Sequence, residues 1–304
     1  MDKELERLIR SVIENAVDDS DASADLVESL ATYYYDHFQD DHKYLIEFLE
    51  TLRASAENGC SWAKFKFSQV VSQFGPAESG VITKDDKRLA VQYGKESGYA
   101  LGYLFAAKIL EEPDFRPCGY SFNEKEGHLG GHMFTEPDYD LLDAAECYQL
   151  VVDSIGSDDE MYLGFVLEAA NKAALLFLNK RGFGPGISIS SDDKLRAFDD
   201  LNLIIEKGNP EQVAYAASLL GTAELYAGNL DKAANWYIKA LNEDPEAIFY
   251  FFIESGFQKE SDTFRKLIEL CDQTVILTRG FRPQIADRVQ HAVRRFKALN
   301  GYDV

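Results

Sequence analysis

The sequence predicts an all-α protein built of tandem helix-turn-helix repeats, and three observations lead to this fold class. Apolar residues recur at helical spacing in the clearest unit, and the 304 residues include only 8 prolines that could interrupt helices. Predicted helices end repeatedly at a glycine, which readily adopts the left-handed conformation that closes a helix. A pattern of small and large residues also recurs at several places in the chain.

The clearest repeat covers residues 216–245. Its first half has a helical period that stops at Gly228, and its second half restarts at Asp231, which we predict as the N-cap, and stops before Pro245. Two helices joined by so short a turn must lie antiparallel. Small residues such as Gly221 and Ala233 would let the two backbones approach closely.

The same pattern recurs three more times. First helices align at 63–71, 97–105 and 169–177 with the segment 216–224, and each has Ser, Gly or Ala at its sixth position. Second helices align on an alanine at Ala90, Ala144, Ala197 and Ala233. The predicted helix ends at Gly59, Gly98 and Gly208 repeat as well, and we expect left-handed caps there.

These residues resemble the tetratricopeptide repeat and the related SEL-one-like repeat. Residues 216–245 carry the tetratricopeptide pattern at Leu220-Gly221, Gly228, Ala233, Tyr237, Ala240 and Pro245. Two connectors resemble the SEL-one-like form, namely Gly75…Gly80-Val81…Asp85-Asp86-Lys87…Ala90 and Arg181-Gly182…Gly184-Pro-Gly186-Ile187…Asp192-Asp193-Lys194…Ala197. The connectors are longer than those of the family, and Gly94 and Glu224 replace signature residues. The resemblance implies an α-solenoid that binds a protein.

We divide the chain into three regions on this basis. Residues 1–24 form an N-terminal cap with an amphipathic helix at 3–17. Residues 25–245 form about five helix pairs, with a long insertion at 111–139. Residues 246–304 form a C-terminal helical cap, whose last helix is basic because residues 279–304 contain six Lys or Arg and two acidic residues.

The charge of the chain limits its partners. A net charge of −21 repels nucleic acids and anionic membranes and attracts basic proteins. The N-terminal segment has no apolar core of signal-peptide length, and no apolar run is long enough to span a membrane. The four cysteines have no paired spacing, as is typical of reduced thiols in the cytoplasm. The basic last helix could dock on the acidic body of the same chain or of a second copy.

No strong catalytic motif is present, so we expect a protein that is not an enzyme and needs no cofactor. The sequence lacks a phosphate-binding loop, a Gly-x-Ser-x-Gly elbow and a His-Glu-x-x-His motif. Acidic pairs such as Asp85-Asp86 and Asp192-Asp193 are interpreted as caps at helix starts.

One cluster leaves a metal site open as an alternative. Thiol and imidazole side chains suit zinc, and the candidate ligands are Cys118, His128, His132 and Cys147. Nearby glycines argue against a helix that would bring both histidines to one face. A loop between two helices is therefore the competing interpretation.

Partner-binding residues follow from the family resemblance, which implies that the first helix of each pair faces a concave groove. The aligned groove positions are Phe65, Gln69, Tyr99, Tyr103, Asn171, Leu175, Ser218 and Thr222. We expect an adaptor or scaffold that binds another, basic protein in this acidic groove. The alternatives are a cytoplasmic immunity protein that neutralises a basic toxin, a metalloprotein or enzyme that uses 111–147, and a self-associating module.

Overall fold

The computed structural model describes residues 3–37, 42–74, 81–112, 139–155, 159–179 and 191–244, and a few single positions between 269 and 301. These residues form eleven helices and no strand, so the all-α prediction is confirmed for this part of the chain. The chain divides into two compact units, Met1–Gly156 and Ser157–Val304, a division that the sequence did not predict. None of the described helices combines the length and apolar character needed to cross a bilayer.

Unit 1 contains seven of these helices, each of which packs against the next one in sequence. They are α1 (Lys3–Asn15), α2 (Asp21–His37), α3 (His42–Glu57), α4 (Ser61–Phe74), α5 (Lys84–Glu96), α6 (Ala100–Leu110) and α7 (Tyr139–Ile155). Helix α2 also contacts α4, and α4 contacts α6, so these three lie side by side in one layer. The arrangement is compatible with an α-solenoid.

The other layer of unit 1 contains α1, α3, α5 and α7. Helix α1 contacts α3 directly. An ion pair between Arg53 and Asp86 joins α3 to α5, and Lys95 Nζ lies 2.8 Å from Asp143 Oδ2 between α5 and α7. Salt bridges therefore connect α3 to α5 and α5 to α7.

Unit 2 contains α8 (Leu163–Asn179), α9 (Ser191–Lys207), α10 (Pro210–Tyr226) and α11 (Leu230–Glu243), which also pack in sequence order. The predicted pair at 216–245 corresponds to α10 and α11. Helix α10 begins earlier than predicted, because Asn209 and Gln212 each bond the other's backbone N–H in a capping box. The N-cap position of α11 is Asn229, and Asp231 lies in the first turn instead.

Three of the predicted glycine helix ends have the expected conformation. Gly59, Gly98 and Gly228 have φ values of 111°, 75° and 79°. Gly208 does not have a positive φ, and the prediction of a left-handed cap there is wrong. A β-carbon at Gly208 would lie 2.6 Å from the carbonyl oxygen of Ile204, so this glycine is required by space and not by its φ angle.

The small residues of the repeated pattern lie where helices approach most closely. A β-carbon built on Gly94 would lie 2.6 Å from the Gly102 carbonyl oxygen and 2.7 Å from Ser68 Oγ. In unit 2 a β-carbon on Gly221 would lie 2.8 Å from the ring of Tyr237. No side chain fits at Gly94 or Gly221, and the two groups nearest to Gly94, from Ser68 and Gly102, themselves occupy the sixth position of the repeated pattern.

Two of the acidic pairs, Asp85-Asp86 and Asp18-Asp19, contribute helix caps, as predicted. The Asp86 carboxylate accepts hydrogen bonds from the backbone N–H and hydroxyl of Thr83, and Asp86 N–H bonds the Thr83 hydroxyl in return. Asp19 accepts a 2.6 Å hydrogen bond from the N–H of Ser61, the first residue of α4. Hydrogen bonds from Ser20 and Ser23 lower the pKa of Asp18.

The C-terminal cap lies largely outside the described residues, and its predicted helices are therefore untested. At two described positions there, Lys297 Nζ lies 2.6 Å from Asp272 Oδ1. This basic residue pairs within the C-terminal region itself. The insertion lies outside the described residues from 113 to 138.

A buried ion pair between α5 and the end of α6 lies next to this insertion. Lys87 of α5 is 2% exposed, and its Nζ lies 2.6 Å from Glu112 Oε2 just after α6. Because both charges are removed from most of the solvent, each is stabilised chiefly by its protein partners.

We therefore expect Lys87→Met to destabilise unit 1 by about 3–5 kcal/mol, because it leaves the Glu112 carboxylate buried beside an apolar side chain. The double variant Lys87→Met/Glu112→Leu should recover most of that loss. Urea unfolding, followed by Trp62 fluorescence in a Trp236→Phe background, measures both changes. Equal losses in the single and double variants would contradict the ion-pair explanation.

Candidate functional site

Four of the predicted groove residues lie on adjacent helices of unit 1. Phe65 is buried and Gln69 half-buried on α4, Tyr103 is half-buried on α6, and Tyr99 is 38% exposed at the N-cap position of α6. A partner-binding role requires that Tyr99 and Tyr103 are not fully buried, and this condition is met. Their role as contact residues stays a prediction.

An aromatic patch joins α4 to the start of α6. We define it by four rings, those of Trp62, Phe65, Tyr99 and Phe105. The Trp62 ring lies 4.8 Å from that of Phe65 and 4.8 Å, edge-on, from that of Tyr99, while the Phe65 and Phe105 rings are 5.6 Å apart. Edge-to-face and tilted pairs at these distances are favourable and hold the rings in fixed orientations.

Helix α2 supplies polar contacts along the edge of the patch. The Glu28 carboxylate accepts a 2.9 Å hydrogen bond from Trp62 Nε1 and lies 2.7 Å from Lys66 Nζ. The same ammonium lies 5.5 Å from the centre of the Trp62 ring, within the range of a cation–π contact. Further along, the Tyr35 hydroxyl donates a 3.1 Å hydrogen bond to Gln73 Oε1. Glu28 thus orients both the indole and the lysine.

Acidic groups contribute to raising the pKa values of two tyrosines in this region, Tyr35 and Tyr99. Burial, together with the charge of Glu28, raises the pKa of Tyr35 to about 12. Burial also raises the pKa of Tyr99, and the charges of Asp19 and Asp21 add to that shift. Both tyrosines therefore remain protonated donors throughout the physiological pH range.

Sequence reasoning identified only part of this surface. It missed Trp62 and Lys66, although both lie within one helical turn of Phe65 on α4 and could have been found from that spacing. It also missed Glu28, whose contacts with α4 span more than thirty residues of sequence. Nothing in the sequence pattern around Glu28 indicates these contacts with α4.

In unit 2 the predicted residues divide into two kinds. Asn171 and Leu175 are half-buried on α8. Ser218 is 2% and Thr222 8% exposed on α10, so both side chains are buried, as is Phe65 at 6%, and their role as contact residues stays a prediction.

The hydroxyls of the two buried residues are used inside the fold. Ser218 Oγ donates to the Ala214 carbonyl oxygen at 2.9 Å, and Thr222 Oγ1 lies 3.0 Å from the Tyr237 hydroxyl. Thr222 thus belongs to the contact between α10 and α11. The alignment did not indicate this contact, because the repeat pattern fixes register but not the rotation of each helix.

The candidate zinc ligands are not brought together in the described residues. Cys118, His128 and His132 lie outside them. Cys147 is buried in α7, and burial raises the pKa of its thiol to about 11. The part of the chain that the structure describes contains no group of three potential ligands.

The chain matches no protein-family model, and a comparison with curated proteins also finds no match.

The contact between Glu28 and the aromatic residues has a measurable consequence at high pH. We expect Glu28→Gln to lower the pKa of Tyr35 while leaving it above the ordinary value of about 10, because burial is the larger cause. Chemical-shift titration of ¹³Cζ-labelled tyrosine, with Tyr35→Phe for assignment, measures the shift.

The same shift has a defined effect on stability. Since the pKa is raised in the folded state, folded Tyr35 keeps a proton that the unfolded chain loses between about pH 10 and 12. The stability contributed by Tyr35 is full below this window and falls as the pH rises through it, less steeply in Glu28→Gln. An unchanged Tyr35 titration in this variant would contradict the placement of Glu28.

Proposed function

We propose that this protein is a non-enzymatic protein-interaction module and that the aromatic patch is its partner-binding surface. The observation that carries the proposal is the exposure of Tyr99 beside Trp62 on two neighbouring helices. Tyrosine and tryptophan are enriched at the centres of protein interfaces, because they supply large rigid contact areas together with a polar group. The role needs no cofactor and no catalytic group.

The proposed role includes a tetratricopeptide-like or SEL-one-like repeat architecture. Supporting it, the aligned alanines of the second helices are all fully buried. These are Ala90, Ala144, Ala197 and Ala233. The aligned first-helix alanines Ala63, Ala169 and Ala216 are also fully buried. Proteins made of such repeats present an extended face to other proteins.

A narrower form of the proposal is an immunity protein that neutralises a basic toxin. Its support is the net charge of −21, which would accelerate capture of a basic protein by electrostatic steering. Adaptor and immunity protein differ in the identity of the partner but share the surface.

Site-specific photo-cross-linking tests the proposed surface. We expect p-benzoylphenylalanine in place of Tyr103, on α6, to give one discrete cross-linked protein in cells of the native host. The same group in place of Ile46 is the matched control, because Ile46 is 44% exposed on α3 in the other layer. It should not give this product.

The dependence on the patch is tested in the same experiment. Adding Tyr99→Ala to the Tyr103 reporter should reduce the product by at least about tenfold, as expected for loss of an interface aromatic. Products that are identical from the two reporter positions, or that are unaffected by Tyr99→Ala, would contradict the proposed surface.

A further inference from the structure

The segment beside the aromatic patch is strongly acidic. Residues 17–37 contain six Asp or Glu and no Lys or Arg. Asp21, Asp25 and Glu28 follow one another at helical spacing on α2 and therefore lie on one face of that helix. We call these three residues the acidic row.

The acidic row lies on the side of α2 that faces the patch. Glu28 contacts Trp62 and Lys66 of α4, which fixes the direction of that face. At the other end of the row, Asp21 lies two residues after Asp19, whose carboxylate accepts a 2.6 Å hydrogen bond from the N–H of Ser61, the residue before Trp62. Burial and the nearby charges of Asp19 and Asp21 raise the pKa of Tyr99, in agreement with this placement. Asp21 and Asp25 themselves are exposed. A partner that contacts Tyr99 therefore also meets carboxylates.

The chain itself shows which chemistry this combination binds. Lys66 places its ammonium 5.5 Å from the centre of the Trp62 ring and 5.8 Å from that of Phe65, and pairs with Glu28. One cation is thus held between ring faces and a carboxylate. Tyr99 and the exposed carboxylates of the acidic row offer the same combination to solvent.

We propose that the partner inserts an arginine of a basic segment at this place, with its guanidinium against the Tyr99 ring and paired with Asp21, the end of the acidic row next to the patch. Arginine fits better than lysine, because its planar guanidinium can stack on an aromatic ring while bonding a carboxylate through two N–H groups. The inference rests on the proposed function, since it names the chemistry of the partner at the same surface.

Tryptophan fluorescence provides a direct test. The chain contains two tryptophans, so Trp236→Phe leaves Trp62 of the patch as the single reporter. The probes are three synthetic peptides of alternating alanine and a variable residue, which is arginine, lysine or citrulline. Citrulline has the shape of arginine without its charge. We expect the arginine peptide to change Trp62 emission saturably and to bind more tightly than the lysine peptide, while the citrulline peptide does not bind.

Two double variants separate a local site from the general negative field. Asp21→Asn/Asp25→Asn should weaken binding of the arginine peptide by at least about tenfold, since it removes the paired carboxylate of Asp21 and the exposed carboxylate of Asp25 on the same face of α2. Asp192→Asn/Asp193→Asn is the matched control, because it removes the same charge from the first turn of α9 in unit 2. This control should leave the affinity within about twofold, the loss expected from a change in the screened long-range field.

Several results would overturn the inference. They are binding of the citrulline peptide as tight as that of the arginine peptide, equal binding of the lysine and arginine peptides, and equal weakening by the two double variants.

Failure of this inference can be distinguished from failure of the proposed function. If the arginine peptide does not bind but the Tyr103 cross-link still depends on Tyr99, the surface binds a partner of different chemistry. If the cross-link does not depend on Tyr99, the proposed surface itself is wrong.

Discussion

The close approach of three helices at Gly94 is the constraint on which unit 1 depends. A side chain at this position would overlap the Gly102 carbonyl oxygen of α6 and Ser68 of α4, so α5 meets the backbone of α6 and only a small side chain of α4. This close approach brings the start of α6 beside the first turn of α4. Tyr99 then meets Trp62 edge-on at 4.8 Å, although the two are far apart in sequence. The aromatic patch is therefore a consequence of helix packing.

Within each of the two layers of unit 1, neighbouring helices are linked by a different kind of contact. In the layer of α1, α3, α5 and α7 polar links join α3 to α5 and α5 to α7, such as the Arg53–Asp86 pair, in which the carboxylate that caps α5 also binds α3. In the layer of α2, α4 and α6 they are mainly aromatic, with Glu28 as the anchor at the edge. Exposed ion pairs contribute little stability each, whereas clustered aromatic rings contribute both packing and contact area. A surface for another protein is therefore better supported in the layer of α4 and α6.

Much of the fold could be predicted from the sequence, because helix ends and small-residue positions are local signals. Gly98 marks the turn before α6 correctly, and Gly221 lies at a close crossing as the pattern indicated. The site was predicted only in part. Phe65 and Tyr99 were found by alignment, but the burial of Thr222 against Tyr237 was not predicted, because repeat register does not specify helix rotation. Glu28 could not be found, since its role depends on a pairing between helices.

The central claim is that the crossing at Gly94 positions the aromatic patch, and Gly94→Ala tests it most directly in the Trp236→Phe protein. The measurement is the nuclear Overhauser effect between the rings of Trp62 and Tyr99, together with the wavelength of Trp62 emission. The account predicts that Gly94→Ala moves α6, weakens this effect and shifts the emission to the red. Gly164→Ala should leave both unchanged, because nothing lies within 4 Å of a β-carbon there. A folded Gly94→Ala protein with both signals unchanged would contradict the account.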